Sequence, residues 1–112
     1  MKPLPTWEEI ASRVTVEGGT VRVVDLRKAI GANATMRITG LAGGVISLEQ
    51  LRFDHHYVTT TETLRGASLR VGVSMEVLRR ALRRAGHISI HDGRKGMHWH
   101  RIPIGVADRI AA

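Results

Sequence analysis

Four arginines at helical spacing form the clearest chemical signal in this sequence. They occupy one face of the predicted helix Ser74–Ala85, and the aliphatic residues between them recur at the i, i+3, i+4 and i+7 positions of the opposite face. The arginines are Arg79, Arg80, Arg83 and Arg84, and the aliphatic residues are Leu78, Ala81, Leu82 and Ala85. Because guanidinium groups bind phosphate and guanine with paired hydrogen bonds, the pattern predicts a helix that lies against an anionic partner.

Histidines form a second group of residues that could carry chemistry. His91, His98 and His100 would converge on one face of a β-hairpin with His87 nearby, and imidazole nitrogens in that arrangement can bind zinc, nickel or copper. Metal-binding histidines are usually oriented by a further group such as a carboxylate, and no carboxylate is placed to do so here. We therefore expect no metal and no other cofactor, with these three histidines as the alternative.

The acidic residues do not form a catalytic group. A hydrolase or nuclease needs paired carboxylates or a base beside a nucleophile, and the ten Asp and Glu residues are scattered along the chain. We expect a protein that has no catalytic residues and is not an enzyme.

The positive charge is concentrated in about a third of the chain. The formal net charge is +7, and residues 63–101 hold nine basic side chains against two acidic ones, which accounts for all of it. Residues 1–62 hold seven side chains of each sign. A localised basic field indicates a polyphosphate partner more strongly than a diffuse one does.

Length and composition narrow the class of protein. The 112 residues, of which 43% are hydrophobic, suffice for one ordinary core or for two very small units. Without cysteine, a disulfide framework and a thiolate metal site are excluded. No apolar run approaches the ~20 residues that cross a bilayer, and the start has no apolar signal region. We expect a cytoplasmic protein that does not enter a membrane.

The first half of the chain is predicted to be helical with one short strand. Thr6 and Glu9 match the T-x-x-E capping box at the start of a helix, and Thr20–Val24 alternates as a strand. Asp25 and Asn33 are the predicted N-caps of two further short helices.

The stretch that begins at Leu48 fits two structures. Ser47 and Gln50 match an S-x-x-Q box, which favours a helix, whereas the letters FDHHYV favour a strand. We predict a helix followed by a short strand near Tyr57–Thr59. The threonines in Thr59–Thr63 then mark a boundary, because threonine suits strands and caps better than helix interiors.

The second half is predicted to contain two helices joined by a tight turn. The first helix covers Leu64–Val71, Gly72 begins the turn, and Ser74 caps the arginine-bearing helix, which Gly86 ends.

A β-hairpin is predicted to follow, with Gly93–Gly96 at its tip. In the preferred register Asp92 lies opposite Met97 and Ile90 lies opposite Trp99, because alternation then separates the isoleucines from the histidines.

The stretch 64–82 resembles the helix-turn-helix of DNA-binding regulators. The matching residues are Ala67, Ser68, Val71, Gly72, Val73, Ser74, Leu78 and Leu82. Small residues let the two helices cross closely, and the glycine supplies the positive φ of the turn. Gly66 and Leu69 depart from the pattern. The hairpin after the second helix is similar to the wing of winged-helix proteins.

The resemblance implies a set of DNA-binding residues. In this family the second helix reads base edges in the major groove, and the wing reaches the backbone or the minor groove. The base-reading residues would be Ser74, Met75, Glu76, Arg79, Arg80 and Arg83, and the phosphate-binding residues Arg65, Arg70, Arg84, Arg94 and Lys95. Arginine would pair with guanine, and Glu76 would accept a hydrogen bond from cytosine.

A faint internal repetition leaves the organisation of the first half open. The segments 26–48 and 69–90 both run through apolar residues, Gly, a short turn, a second helix, Gly and a strand. A duplicated helix-turn-helix and a coincidence among short apolar words explain this equally well.

Together these observations predict a mainly α protein with small β-hairpins, namely a winged helix-turn-helix, with tandem units left open. Residues 1–56 would form a helical unit that is either a degenerate helix-turn-helix or a dimerisation surface. Residues 57–103 would carry the helix-turn-helix and wing, and residues 104–112 a tail. The expected function is sequence-specific binding of double-stranded DNA by a small homodimeric transcriptional regulator of phage, plasmid or bacterial type. The alternative is a non-catalytic interaction protein whose arginine face docks an acidic protein.

Overall fold

Two compact units make up the chain, Met1–Thr59 and Thr60–Ala112. The computed structural model describes residues 3–86, 90–92 and 99–111. Both units are mainly helical, and each contains a small antiparallel sheet. The boundary lies in the run of threonines, three residues beyond the predicted division after residue 56.

The first unit packs its helices around a two-stranded sheet. Its elements are α1 (Trp7–Arg13), β1 (Thr20–Arg22), α2 (Val23–Ile30), α3 (Ala32–Thr39), β2 (Val45–Ser47) and α4 (Leu48–Thr60), which reaches the boundary. β1 and β2 are antiparallel, with Val21 opposite Ile46. Every element contributes to the core, whose buried members are Ile10, Val21, Val23, Leu26, Ile38, Ile46 and Leu51.

Helix α1 begins with the predicted capping box. Thr6 Oγ1 accepts a hydrogen bond from the Glu9 N–H at 3.2 Å, and the Glu9 carboxylate accepts one from the Thr6 N–H at 3.5 Å. This cap forms from residues three apart, so the local sequence is sufficient to specify it.

The other two predicted caps of the first unit are wrong. Helix α2 starts at Val23, so Asp25 lies in its first turn and accepts a hydrogen bond from Arg22 Nε at 2.7 Å. Helix α3 starts at Ala32, so Asn33 is a helical residue. The cause is Gly31, whose φ of 92° ends α2 and leads directly into α3. Gly31 is the one residue between the two helices, and it has no side chain with which to cap α3.

Helix α4 resolves the ambiguous stretch in favour of a helix. Ser47 Oγ accepts from the Gln50 N–H at 3.0 Å, and Gln50 Nε2 donates to the buried Asp54 at 2.7 Å. His55 Nε2 donates to the carbonyl of Pro5 at 2.8 Å. The predicted strand at Tyr57–Thr59 is wrong, because these partners keep the polar residues within the helix as far as Thr60.

The second unit has a three-stranded sheet. Its elements are β3 (Thr61–Thr63), α5 (Leu64–Val71), α6 (Met75–Arg84), β4 (Ile90–Asp92), β5 (Trp99–Pro103) and α7 (Val106–Ala111). The strand order is β3-β5-β4, and both pairings are antiparallel. The helices pack on this sheet through the buried residues Leu64, Ala67, Leu78, Leu82, Ile102, Val106 and Ala107.

The hairpin is shifted by two residues from its predicted register. Ile90 lies opposite Arg101, and Asp92 lies opposite Trp99. An even shift preserves the alternation of faces, which is the property that the hydrophobic pattern constrains. The predicted tip, Gly93–Gly96, lies outside the described residues.

The last segment is part of the second unit's core. It was predicted to be a tail, but α7 packs against α5 and α6 and buries Val106 and Ala107. Within the described ranges, no helix combines the length and the apolar character needed to cross a bilayer.

Candidate nucleic-acid interface

A tight turn sets the start of α6. Gly72 ends α5 with a φ of 77°, a left-handed conformation that glycine adopts without a Cβ clash. Ser74 Oγ then accepts a hydrogen bond from the Val77 N–H at 3.2 Å and caps α6. The predicted bounds of α5, the turn glycine and the cap are all confirmed.

A contact within the first turn of α5 explains why residue 66 is a glycine. Thr63 Oγ1 caps α5 by accepting a hydrogen bond from the Gly66 N–H at 3.0 Å. A Cβ on Gly66 would also lie 3.0 Å from this oxygen, so a larger residue would press on the cap. The departure from the helix-turn-helix pattern at Gly66 therefore accommodates the start of α5.

Helix α6 is amphipathic, with its leucines buried and its arginines exposed as the sequence predicts. Leu78 and Leu82 are buried in the core of the unit, with exposed fractions of 1% and 3%. The four residues of the predicted arginine face are all exposed, namely Arg79, Arg80, Arg83 and Arg84. Ala85 was predicted to join the buried stripe, but it is exposed because the helix ends at Arg84.

One of these arginines has an acidic neighbour on the same helix. Arg80 Nη2 lies 2.7 Å from Glu76 Oε1, one turn earlier, and both side chains are more than half exposed. Such an exposed pair contributes only a few tenths of a kcal/mol, so a stronger anion can displace the carboxylate. Arg79, Arg83 and Arg84 form no ion pair with any acidic side chain that the structure describes.

Arg70, a predicted phosphate contact, is held by two carboxylates. Its guanidinium lies 2.8 Å from the Glu62 carboxylate and also binds Asp108. The hydrogen bond to Asp108, followed by that to Glu62, raises the pKa of Arg70, and the hydrogen bond from Arg70 lowers the pKa of Asp108. This arginine connects α5 to β3 and α7, so a phosphate would have to replace one of these carboxylates.

Arg101 is a second basic residue with a structural contact. Its Nε donates to Thr61 Oγ1 at 2.7 Å, and its Nη2 donates to the Thr61 carbonyl at 3.0 Å, across the pairing of β3 with β5. Arg101 and Arg70 belong to the basic stretch 63–101, and the sequence does not show that each has a structural partner. The partners of Arg101 are 40 residues away and those of Arg70 are 8 and 38 residues away, so no local pattern reveals them.

The remaining predicted contacts are exposed, are used as a cap or lie outside the described residues. Arg65, Met75 and Glu76 are exposed, and the Ser74 hydroxyl is used as a cap. Arg94 and Lys95, the predicted wing contacts, lie outside the described residues.

The alternative metal site is only partly described. The backbones of His91 and His100 are opposite each other in the β4–β5 pairing, whereas His98 falls outside the described residues. In the part of the chain that could be searched, no group of three or more His, Asp or Glu side chains is placed to hold a metal ion.

The interface therefore consists of an exposed arginine face on α6, set on a buried leucine stripe, with Arg65 nearby in sequence on α5. Comparison with protein-family models, with curated proteins and with solved structures finds no match to this chain.

Proposed function

We propose that the second unit binds duplex DNA sequence-specifically as a winged helix-turn-helix. The observation that carries the proposal is α6, which buries two leucines and exposes four arginines on the opposite side. The order of elements supports it, because a helix, a glycine turn and a second helix are followed by two antiparallel strands. In this arrangement α6 would enter the major groove, and the hairpin would lie over the backbone or the minor groove.

The chemistry of the arginine face suits both parts of DNA recognition. Contacts with phosphates supply affinity without sequence preference, and they weaken as salt is added because counterions are released. Arg79 and Arg80, near the middle of α6, would pair with the O6 and N7 atoms of guanine. Arg83 follows one turn after Arg79 and would extend the contacts with bases, whereas Arg84 would contact phosphates.

The proposal includes a biological role. The chain would act as a small cytoplasmic transcriptional regulator of phage, plasmid or bacterial type, and it would bind a two-fold site as a homodimer. One reading helix covers only a short site, so a second copy would supply the contacts that a specific site needs. A monomer in sedimentation, both free and on its selected site, would contradict the homodimer.

Selection from a random duplex library tests the proposal. The full chain is expected to enrich a motif that contains guanine and to lose affinity steeply with added salt. No enriched motif together with no affinity at low salt would overturn DNA binding. The arginine face would then be left for an acidic protein partner.

Two variants separate the assigned contacts. Arg79→Ala should relax the preference at one base position, whereas Arg94→Ala should weaken binding to all sequences alike. Identical behaviour of the two variants in the selection would contradict the assignment of α6 to the major groove.

A further inference from the structure

The two units repeat one order of elements. Strand, helix, helix, strand and helix follow one another as β1, α2, α3, β2 and α4, and again as β3, α5, α6, β5 and α7. The first unit adds α1 before β1, and the second adds β4 before β5. The first and last strands pair antiparallel in both units. The residue after the last strand also donates to the residue before the first one: Leu48 N–H to Gly19 O at 2.9 Å and Ile104 N–H to Thr60 O at 3.1 Å. The units therefore share one scaffold.

The first helices of the two scaffolds can be aligned residue by residue. Both α2 and α5 have eight residues, follow a three-residue strand and end at a glycine with positive φ, Gly31 in one unit and Gly72 in the other. Helix α2 buries Leu26 at the position where α5 buries Ala67.

The second helices align through their buried positions. Thr35 and Thr39 are buried four residues apart in α3, as Leu78 and Leu82 are in α6, so α3 corresponds to α6 with an offset of 43 residues. The residues of α3 that take the places of Met75, Glu76, Arg79 and Arg80 are then Ala32, Asn33, Met36 and Arg37.

The surface of α3 differs from that of α6 in chemistry. Ala32 and Asn33 are exposed, and Met36 is 41% exposed. The carboxamide of asparagine can donate to and accept from adenine at the same time, and apolar side chains contact the methyl group of thymine. At the corresponding positions α6 carries Arg79 in place of Met36, which suits guanine, and Glu76 in place of Asn33, which suits cytosine.

We propose that α3 is a second base-reading helix. It recognises A·T pairs through Asn33 and Met36, while α6 recognises G·C pairs. Each copy of the chain in the proposed homodimer would then recognise a bipartite half-site, whose two blocks differ in composition. This inference rests on the proposed function of the second unit, because it extends DNA reading from one unit to both.

The charge of the first unit limits its part in binding. Residues 1–59 contain seven basic and six acidic side chains, a balance of +1, whereas residues 60–112 have a balance of +6. The first unit therefore has little attraction to phosphates of its own. Its connection to the second unit supplies a high effective concentration at the DNA, so α3 adds sequence preference rather than affinity.

Selection with variants of the full chain tests the inference. The wild-type chain should enrich two blocks, one that contains guanine and one that contains A·T pairs. Asn33→Ala should reduce the preference for one adenine by roughly 5- to 150-fold and leave the guanine block unchanged. Asn33→Gln, which keeps the carboxamide, should retain much of that preference, and Ser12→Ala serves as an exposed, neutral control in the same unit.

The outcomes distinguish failure of base reading by α3 from failure of DNA binding by α6. A single guanine-containing block, or two blocks that are both insensitive to Asn33→Ala, would overturn base reading by α3 and leave DNA binding by α6 in place. No binding to any duplex would overturn both. Because Asn33 is exposed, an unchanged circular dichroism spectrum and melting temperature should accompany the loss of preference.

Discussion

Helices α3 and α6 occupy the same place in two copies of one scaffold, yet they differ both inside and outside. Helix α6 buries Leu78 and Leu82 at the positions where α3 buries Thr35 and Thr39. Helix α3 also buries Ile38, whose counterpart in α6 is the half-buried Ala81. The threonines satisfy their hydroxyls within the helix, since Thr35 Oγ1 donates to Gly31 O and Thr39 Oγ1 donates to Thr35 O, each at 2.8 Å. In both units the glycine turn and the buried positions therefore set the helix, whereas its outer surface varies independently.

The contacts between the first strand and the helices also differ between the two units. Val21 lies opposite Ile46 in the first unit, and its counterpart in the second unit is Glu62, opposite Ile102. The counterpart of Arg70 is the half-buried Ala29. The first unit therefore has apolar contacts between its first strand and its helices, and the second unit has the ion pairs of Arg70 there.

The largest expected effect comes from the core of α6. Leu78→Ala should lower the free energy of unfolding of the second unit by about 2–5 kcal/mol, because it removes buried methyl groups and leaves a cavity. The counterpart Thr35→Ala should cost only about 1–2 kcal/mol, the loss of one methyl group and one hydrogen bond. Hydrogen exchange under increasing urea, followed separately for the amides of each unit, measures both values. Equal losses would contradict the difference between the two cores.

The glycines before α3 and α6 should respond unequally. Gly31 has φ 92° and ψ 157°, a region almost exclusive to glycine, so Gly31→Ala should cost up to about 3 kcal/mol. Gly72 is in the left-handed helical region, where an alanine costs about 1–2 kcal/mol. Gly43→Ala is the matched control, since Gly43 has no positive φ and a Cβ there would meet nothing within 4 Å. Urea unfolding should rank the three variants in that order, and a neutral Gly31→Ala would show that its backbone can relax.

The smallest expected effect concerns the ion pairs of Arg70. Because the pKa of Asp108 is lowered in the folded protein, its charge stabilises the fold above its ordinary pKa of 3.8, and that stability is lost as the pH falls through the lowered value. Asp108→Asn should slightly lower the urea midpoint at pH 7, and the difference from the wild type should shrink below about pH 4.

A double-mutant cycle provides the control for this pair. Asp108→Asn should have less effect in an Arg70→Met background than in the wild type. Additive effects, or a difference that persists at low pH, would contradict the coupling between the two residues.

The features that local sequence could predict are those specified by residues a few positions apart. The capping box of Thr6, the cap of Ser74 and the bounds of α5 all follow from side-chain contacts within one turn. The amphipathic pattern of α6 was predictable for the same reason, since its buried leucines and exposed arginines alternate at helical spacing.

The features that failed depend on distant partners or on backbone choices that composition does not reveal. Gly31 could have preceded a capped helix, and only the packed unit shows that α3 begins at once. The hairpin register allowed an even shift, which hydrophobic alternation cannot detect. The partners of Arg70 come from β3 and α7, which lie beyond its own helix in sequence. The sequence therefore did not show that its charge is already paired.

The salt dependence of DNA binding most directly tests whether α6 is the binding surface, when variants of its arginine face are compared with a variant of the first unit. Binding of the wild-type chain to one selected duplex should be measured across a range of salt concentrations, beside Arg83→Ala/Arg84→Ala. Arg13→Ala is the matched control, because Arg13 is an exposed arginine on a helix of the first unit. The double variant should bind more weakly, and its slope of log affinity against log salt should be shallower by about 1 through loss of the phosphate contact of Arg84, while Arg13→Ala leaves the slope unchanged. Equal slopes for all three chains would contradict the claim that α6 is the surface that binds DNA.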